Sequence, residues 1–191
     1  MSDSASAGPD LWVVRHGETE WSRDGKHTST TDLPLTDVGE KTATLLALRL
    51  AEVEFDLVLT SPRQRARRTA ELAGFPDAQV DDDLAEWAYG DYEGVTTSEI
   101  RETVPGWSVW THPSPGGESA ADVSARLDRV VERARGCRRT LVFAHGHSLR
   151  VLTARWLGQP AEEGRFFRLD TSTVSVLGFE RETPVLLKWN S

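Results

Sequence analysis

Arg15, His16, Gly17 and Glu18, set directly after the apolar run Leu11-Trp12-Val13-Val14, combine residue types that can do chemistry on an anion. An imidazole can serve as nucleophile or proton carrier near neutral pH. A neighbouring guanidinium offers a planar fork to phosphate or carboxylate. A second His-Gly pair, His145-Gly146, lies 129 positions after His16 and again ends an apolar run, residues 140–144. A third run, residues 55–59, leads through Thr60-Ser61-Pro62 into a basic stretch holding Arg63, Arg65, Arg67 and Arg68. Two histidines and at least two arginines brought to one place make a pocket for an anion.

The elements that must bring them there are legible in outline. Each run precedes a helical pattern, and strand–helix units of this kind imply parallel neighbours with their carboxyl ends on one sheet edge. Ligands bind at that edge in open α/β sheets. Residues 17–35 lack periodicity and read as a loop. Thr36 or Asp37 can cap the next helix, with Asp37 and Glu40 spaced as a capping box and Leu45, Leu46, Leu48 and Leu50 as its buried side. A second helix follows Ser61-Pro62, with Ala66, Ala70 and Ala73 as packing residues.

Residues 86–118 hold three of the seven tryptophans, both tyrosines and a single basic residue, Arg101, a composition suited to a lid or insertion over a site. Ser119 and Asp122 fit a capping box ahead of Val123, Leu127, Val130, Val131 and Ala134 at helical spacing. Ser148 to Leu157 reads as a helix stopped by Gly158 and Pro160. Val174/Val176 and Val185/Leu187/Trp189 alternate around a turn, as in a closing hairpin. The expected fold is α/β: a three-layer α/β/α sandwich with a mostly parallel central sheet, one antiparallel strand or hairpin near the C-terminus, and a small lid at 86–118. Residues 11–191 form one domain behind a disordered tail, residues 1–10.

Composition narrows the function. With 38% hydrophobic residues in 191, one domain with a substantial core is expected. The net charge of −8 argues against nucleic acid and anionic membrane as partners. One cysteine, Cys137, excludes an internal disulfide and fits a reducing compartment. No stretch approaches a membrane span, and the N-terminus lacks a basic-then-apolar pattern, so the expected location is cytoplasmic. Gly39-Glu40-Lys41-Thr42 lacks the upstream glycine and strand of a nucleotide-binding loop. His145-Gly146-His147 has the alternation of a metal pair but no accompanying carboxylate cluster, so no metal and no cofactor are expected. Oligomeric state leaves no mark in the sequence.

Several segments together resemble the histidine phosphatase superfamily, the fold shared by cofactor-dependent phosphoglycerate mutases and many acid phosphatases. They are residues 15–22, residues 31–36, Ser61-Pro62 with Arg65 and Thr69-Ala70, Glu86, and His145-Gly146. Residues 21–36 and 84–94 are most similar to small actinobacterial acid phosphatases of this superfamily. Ser29 stands where glycine is usual and Ser22 where asparagine is common.

The resemblance implies a phosphatase acting on a small phosphorylated metabolite, with phosphate or vanadate able to occupy its site. His16 would form a phosphohistidine, Arg15 and Arg65 would clamp the equatorial oxygens, and His145 would donate a further bond. Glu86, beside Trp87 in an aromatic setting, would act as acid and then base, with Glu93 and Glu18 as rivals. Arg63 competes with Arg65. Ser22, Thr28, Ser29, Gly146 and His147 would contact phosphate or substrate, and protein cations would stand in for Mg²⁺. The alternatives are a 2,3-bisphosphoglycerate-dependent phosphoglycerate mutase and a catalytically silent phosphoryl-binding module. The scarcity of Lys and Arg in 86–118 disfavours the first, and an acid beside the leaving group disfavours the second.

Overall fold

The computed structural model describes residues 8–191. Of the tail expected at 1–10, residues 1–7 lie outside the described residues, and Asp10 already opens the first strand. The strands are β1 (Asp10–Arg15), β2 (Leu57–Thr60), β3 (Gln79–Val80), β4 (Arg139–Ala144), β5 (Val174–Glu180) and β6 (Thr183–Lys188). They form one sheet in the order β3-β2-β4-β1-β5-β6. β1, β2, β3 and β4 run parallel, while β5 pairs antiparallel with both β1 and β6. The expected sandwich with its C-terminal hairpin is therefore present.

Period-2 side-chain alternation divides the core between the two sheet faces. Leu11 and Val13 of β1 and Val142 and Ala144 of β4 face one cluster, which includes Val123, Leu127 and Val130 of α5 (Ala120–Arg135) and Leu149 and Leu152 of α6 (Gly146–Trp156). Val14, Leu141 and Phe143 face the other, with Leu46 and Leu50 of α2 (Asp37–Leu50) and Ala70 of α3 (Gln64–Leu72). Two shorter helices, α1 (Glu20–Arg23) and α4 (Thr97–Thr103), lie in the connections. Among the described residues no helix is long and apolar enough to cross a membrane.

Three details differ from the sequence reading. Thr36 caps α2 by accepting from the N–H of Gly39 at 3.0 Å, whereas Glu40 pairs with Arg68 at 2.9 Å instead of closing a box with Asp37. The buried stripe of α2 is Gly39, Ala43, Leu46 and Leu50; Leu48 is 80% exposed and Leu45 59%. Spacing of three and four selects one helix face, and two of the four leucines miss it. Finally, Trp87, Tyr89, Ile100, Trp107 and Trp110 of the segment expected as a lid are buried in the α5–α6 cluster, so this segment, α4 included, forms part of the core. The Ser119–Asp122 capping box is present with both of its bonds.

The sheet register places the reactive ends. Arg15 pairs with Ala144 and Thr60 with Phe143, so His16, Ser61 and His145 each follow the last residue of neighbouring parallel strands. The N–H of His16 donates to Ala144 at 3.0 Å and that of Ser61 to Phe143 at 2.9 Å, extending the ladder one step beyond the strands. The first turn of α2 presses against the chain leaving β1. A Cβ on Gly17 would lie 2.6 Å from the carbonyl oxygen of Gly39, and one on Gly39 would lie 2.2 Å from that of Glu18.

Gly39→Ala is accordingly expected to reverse the usual helical preference for alanine. Overpacking against backbone costs ~1–3 kcal/mol, and each kcal/mol lowers the melting temperature of a domain this size by about 2–4 °C. Thermal denaturation and turnover should fall together. An unchanged or raised melting temperature would show that the close approach carries no constraint.

Candidate active site

His16 is buried at the end of β1 and lines a cavity of about 200 Å³. Its Nδ1 lies 2.7 Å from the carbonyl oxygen of its neighbour Gly17. A carbonyl only accepts, so Nδ1 carries the proton and Nε2 keeps its lone pair. No hydrogen bond from the described residues reaches Nε2. Burial holds the His16 imidazole well below its usual pKa, and the charges of Arg65 and Arg15 lower it further. The ring is thus neutral at neutral pH. Thr69 steadies this turn by accepting from the Gly17 N–H at 2.9 Å while donating to the Arg65 carbonyl at 2.7 Å.

Arg15 also lines the cavity. Its Nη1 donates to the Leu169 carbonyl at 2.5 Å, and its Nε is buried without a protein partner. Gly146 leaves room for it, since a Cβ there would come within 3.4 Å of the guanidinium carbon. Arg65 stands in the first turn of α3. It is fully buried, and its Nε donates to Nδ1 of His145 at 3.2 Å. Its terminal nitrogens hold the carbonyls of Thr31, Thr28 and Ser29. In this arrangement it braces the 28–31 loop and His145. Arg63, its rival, makes no ion pair among the described residues, and its buried Nε has no partner.

His145 stands with its ring centroid 5.1 Å from that of His16. Because Nδ1 accepts from Arg65, the proton sits on Nε2 and points to Ser61 Oγ at 2.6 Å. Both nitrogens are therefore engaged by protein, and the ring is not in the cavity lining. Burial, followed by Arg65, His16 and Arg15, pushes its pKa well below the usual value.

Glu86 supplies what the start of α6 lacks. The N-cap residue of α6, His145, makes no side-chain cap, and the first amides of a helix need acceptors. Glu86 accepts from Ser148 N–H at 2.7 Å and its own neighbour Trp87 N–H at 2.9 Å on Oε1, and from His147 N–H at 3.0 Å on Oε2. N–H groups, rather than the rings expected from the sequence, surround the carboxylate, and Glu86 lines the cavity. The rival acids do not. Burial opposes ionisation of Glu93, yet bonds from Ser29 and Thr31 hold it below the ordinary carboxylate range. Glu18 accepts from Thr36 Oγ1 at 2.8 Å beside α2.

Of the expected contact residues, Ser22, Thr28, Gly146 and His147 line the cavity; Ser29 does not, being bonded to Glu93. The Ser22 hydroxyl caps α1 in a reciprocal pair with Thr19. Sequence reasoning assigns no contact to Thr19, Lys26, His27 and Arg150, which also line it, and Tyr89, an aromatic that suggests a stacking wall, lines it too. Some signal for them existed. Arg150 is one helical turn after Gly146 and so shares its face, and Tyr89 lies three residues after Glu86. Arg15, Lys26 and Arg150 make the cavity cationic, with Glu86 the one carboxylate among its lining. Among the described residues no cluster of three His, Cys, Asp or Glu side chains is placed to hold a metal ion.

A model of the histidine phosphatase superfamily (branch 1) matches residues 11–191. An acid phosphatase of Mycobacterium tuberculosis is 45% identical over 175 residues, covering 89% of this chain and 86% of the relative. A 2,3-bisphosphoglycerate-dependent phosphoglycerate mutase of Methylocella silvestris is 38% identical over 161 residues, covering 74% of this chain and 78% of the relative. A solved structure of an open reading frame product from Mycobacterium tuberculosis superposes with a TM-score of 0.91 at 42% identity, covering 95% of this chain and 97% of that one.

The buried imidazoles predict acid sensitivity. His16, His145 and His147 are held well below 6.5, and burial lowers His27 to about 4. In the unfolded chain these groups take up protons near pH 6.5. Their contribution to stability is therefore present above that pH and lost as pH falls below it, at about 1.4 kcal/mol per pH unit for each proton taken up. Urea denaturation between pH 7.5 and 5 should show this steep loss. Constant stability across that range would mean the rings titrate normally in the folded protein.

Proposed function

The chain belongs to the histidine phosphatase superfamily, and from that premise we propose that it hydrolyses small-molecule phosphate monoesters through a phosphohistidine on His16. The observation that carries this reading is the tethered ring: Nδ1–H bonded to Gly17, with Nε2 free in a cationic cavity. In the first step the Nε2 lone pair attacks phosphorus in line, the phosphorus–oxygen ester bond breaks, and protonated Glu86 gives its proton to the leaving oxygen. In the second step Glu86 takes a proton from water as that water attacks phosphorus. The phosphorus–nitrogen bond breaks, and its electron pair returns to Nε2. Phosphate leaves, and Glu86 is again protonated for the next turn.

Arg15, with its unpartnered Nε, is suited to the equatorial oxygens, and Lys26 and Arg150 add to the positive field. Arg65 and His145 act in this reading as a rigid support, the pair holding the 28–31 loop against the end of β4. The charge that stabilises the transferring group comes from side chains, so the proposed reaction requires no metal. Hydrolysis is favoured over a mutase reading because Arg101, the lone Lys or Arg in 86–118, donates its Nε to the Trp107 carbonyl and is outside the phosphoryl cavity. A bisphosphate intermediate would have little on that segment to retain it while it turned round. A silent binding module could use Glu86 to cap α6 but would gain nothing from a carboxylate in the wall of an anion cavity. The single, half-buried Cys137 suits a reducing cytoplasm.

Two outcomes test the reading. Glu86→Gln should slow hydrolysis of an alkyl phosphate by about 10²–10⁴-fold and that of p-nitrophenyl phosphate far less, because nitrophenolate leaves with little protonic help. Equal losses would remove Glu86 from the acid role. Activity should also survive excess EDTA and be inhibited by vanadate, which adopts the trigonal-bipyramidal shape of a transferring phosphoryl group. Loss with chelator and rescue by zinc or magnesium would contradict a charge supply made of side chains.

A further inference from the structure

Beyond the phosphoryl cavity lies a second one, of about 190 Å³, whose lining includes Trp107, Ser108 and Trp110. His27 and His147 line both cavities and so form the wall between them. Their rings meet edge to face with centroids 6.1 Å apart. His27 is stacked on Tyr89 at 4.7 Å and tilted against Trp107 at 5.2 Å, which fixes its plane. It is 9% exposed, yet neither ring nitrogen has a hydrogen-bond partner among the described residues, and Nε2 is buried. His147 uses Nδ1 on the Tyr89 hydroxyl at 2.5 Å, and its Nε2 has no partner among the described residues.

Buried polar atoms are nearly always satisfied, so the orphaned Nε2 of His27, on a residue that lines both cavities, calls for a hydrogen-bonding occupant. The chemistry of that ligand follows from the charge state. Burial keeps both imidazoles neutral at neutral pH. A neutral imidazole donates from one nitrogen and accepts at the other, and a hydroxyl does the same with its single oxygen. A carboxylate or second phosphate only accepts, and would leave the accepting nitrogen of His27 unmatched, whereas His147 has Nε2 alone to offer. The charged side chain lining the second cavity, Arg101, is itself exposed and turned to the Trp107 carbonyl through its Nε at 2.8 Å.

We propose that His27 and His147 are the specificity-determining pair for the leaving group, reading an uncharged hydroxyl on a polyol or open-chain sugar that extends from the phosphoryl cavity toward the second one. The inference rests on the phosphatase reading above and adds the class of leaving group. Trp107 and Trp110 supply apolar walls for the carbon chain, and the two rings supply hydrogen bonds that an unsubstituted alkyl chain cannot use.

The test compares erythritol 4-phosphate with n-butyl phosphate, which has the same number of carbons and no hydroxyls. In the wild-type protein kcat/KM for the first should exceed that for the second by about tenfold or more, since a site built to bond a hydroxyl rejects the analogue lacking it. His27→Phe keeps a ring against Tyr89 and Trp107 but has no nitrogen, and should bring the ratio close to one. His27→Gln, with a donor and an acceptor, should restore part of it. A wild-type ratio near one, or a ratio unmoved in both variants, would overturn the proposal while leaving phosphatase activity standing. Hydrolysis of p-nitrophenyl phosphate but of neither alkyl ester would overturn it equally. Absence of turnover with every monoester would instead overturn the phosphatase reading, and this inference with it.

Discussion

The bond from His16 Nδ1–H to the Gly17 carbonyl, 2.7 Å long, decides which ring nitrogen can react, and much of the surrounding structure serves to keep that choice in place. A neutral imidazole exchanges freely between tautomers unless one nitrogen is tied. Here the acceptor is the next residue's own carbonyl, so its position depends on how the chain turns away from β1. That turn is fixed from three sides: by the ladder bond from His16 to Ala144, by Thr69 on the Gly17 N–H, and by the first turn of α2 against Gly17 and Glu18. The proposed nucleophile is oriented by backbone, and the backbone is oriented by packing.

Charge makes the same arrangement demanding. Arg15 and Arg65 are largely desolvated and have no carboxylate among the described residues in an ion pair with them, a costly placement unless an anion or hydrogen-bond acceptors compensate. Arg65 finds carbonyls and His145. Arg15 finds one carbonyl and keeps a bare Nε. Burial first, and then the same cations, depress the pKa of His16 and so keep the proposed nucleophile neutral. Glu86 is the counterweight. Its carboxylate caps α6 in place of a local residue, and this ties the end of β4 to the aromatic segment that follows β3. Helix capping and placement of the proposed acid are thus one interaction.

The sequence shows the outline of this arrangement because its signals are local. Apolar runs ending in His-Gly or Ser-Pro marked the strand ends, and Ser119 with Asp122 marked a helix start that the structure bears out. What stayed hidden depends on distant chain. The Arg65 guanidinium reaches the 28–31 loop across more than thirty residues of sequence, and nothing near Arg65 announces that those carbonyls return to it. The buried stripe of α2 escapes hydropathy because it relies on Gly39 and Ala43, which carry little of it, while Leu45 and Leu48 are exposed. The 86–118 segment looked like a cover because prolines and glycines break its periodicity. Its tryptophans pack into the core from irregular backbone, where no period betrays burial. His27 sat inside a stretch that had been singled out, yet its value lies in a stack with Tyr89 formed only in three dimensions.

The account stands on the identity of one covalent bond. Wild-type protein mixed with a ³²P-labelled monoester, quenched in denaturant and alkali within the first turnover and digested, should yield label on the peptide containing His16. That label should be stable in alkali and labile in acid, as phosphoramidates are, and should sit on Nε2, the nitrogen left free by the Gly17 carbonyl. Label on Nδ1, on a serine, threonine or another histidine, or rapid turnover by His16→Ala with no labelled intermediate, would contradict it.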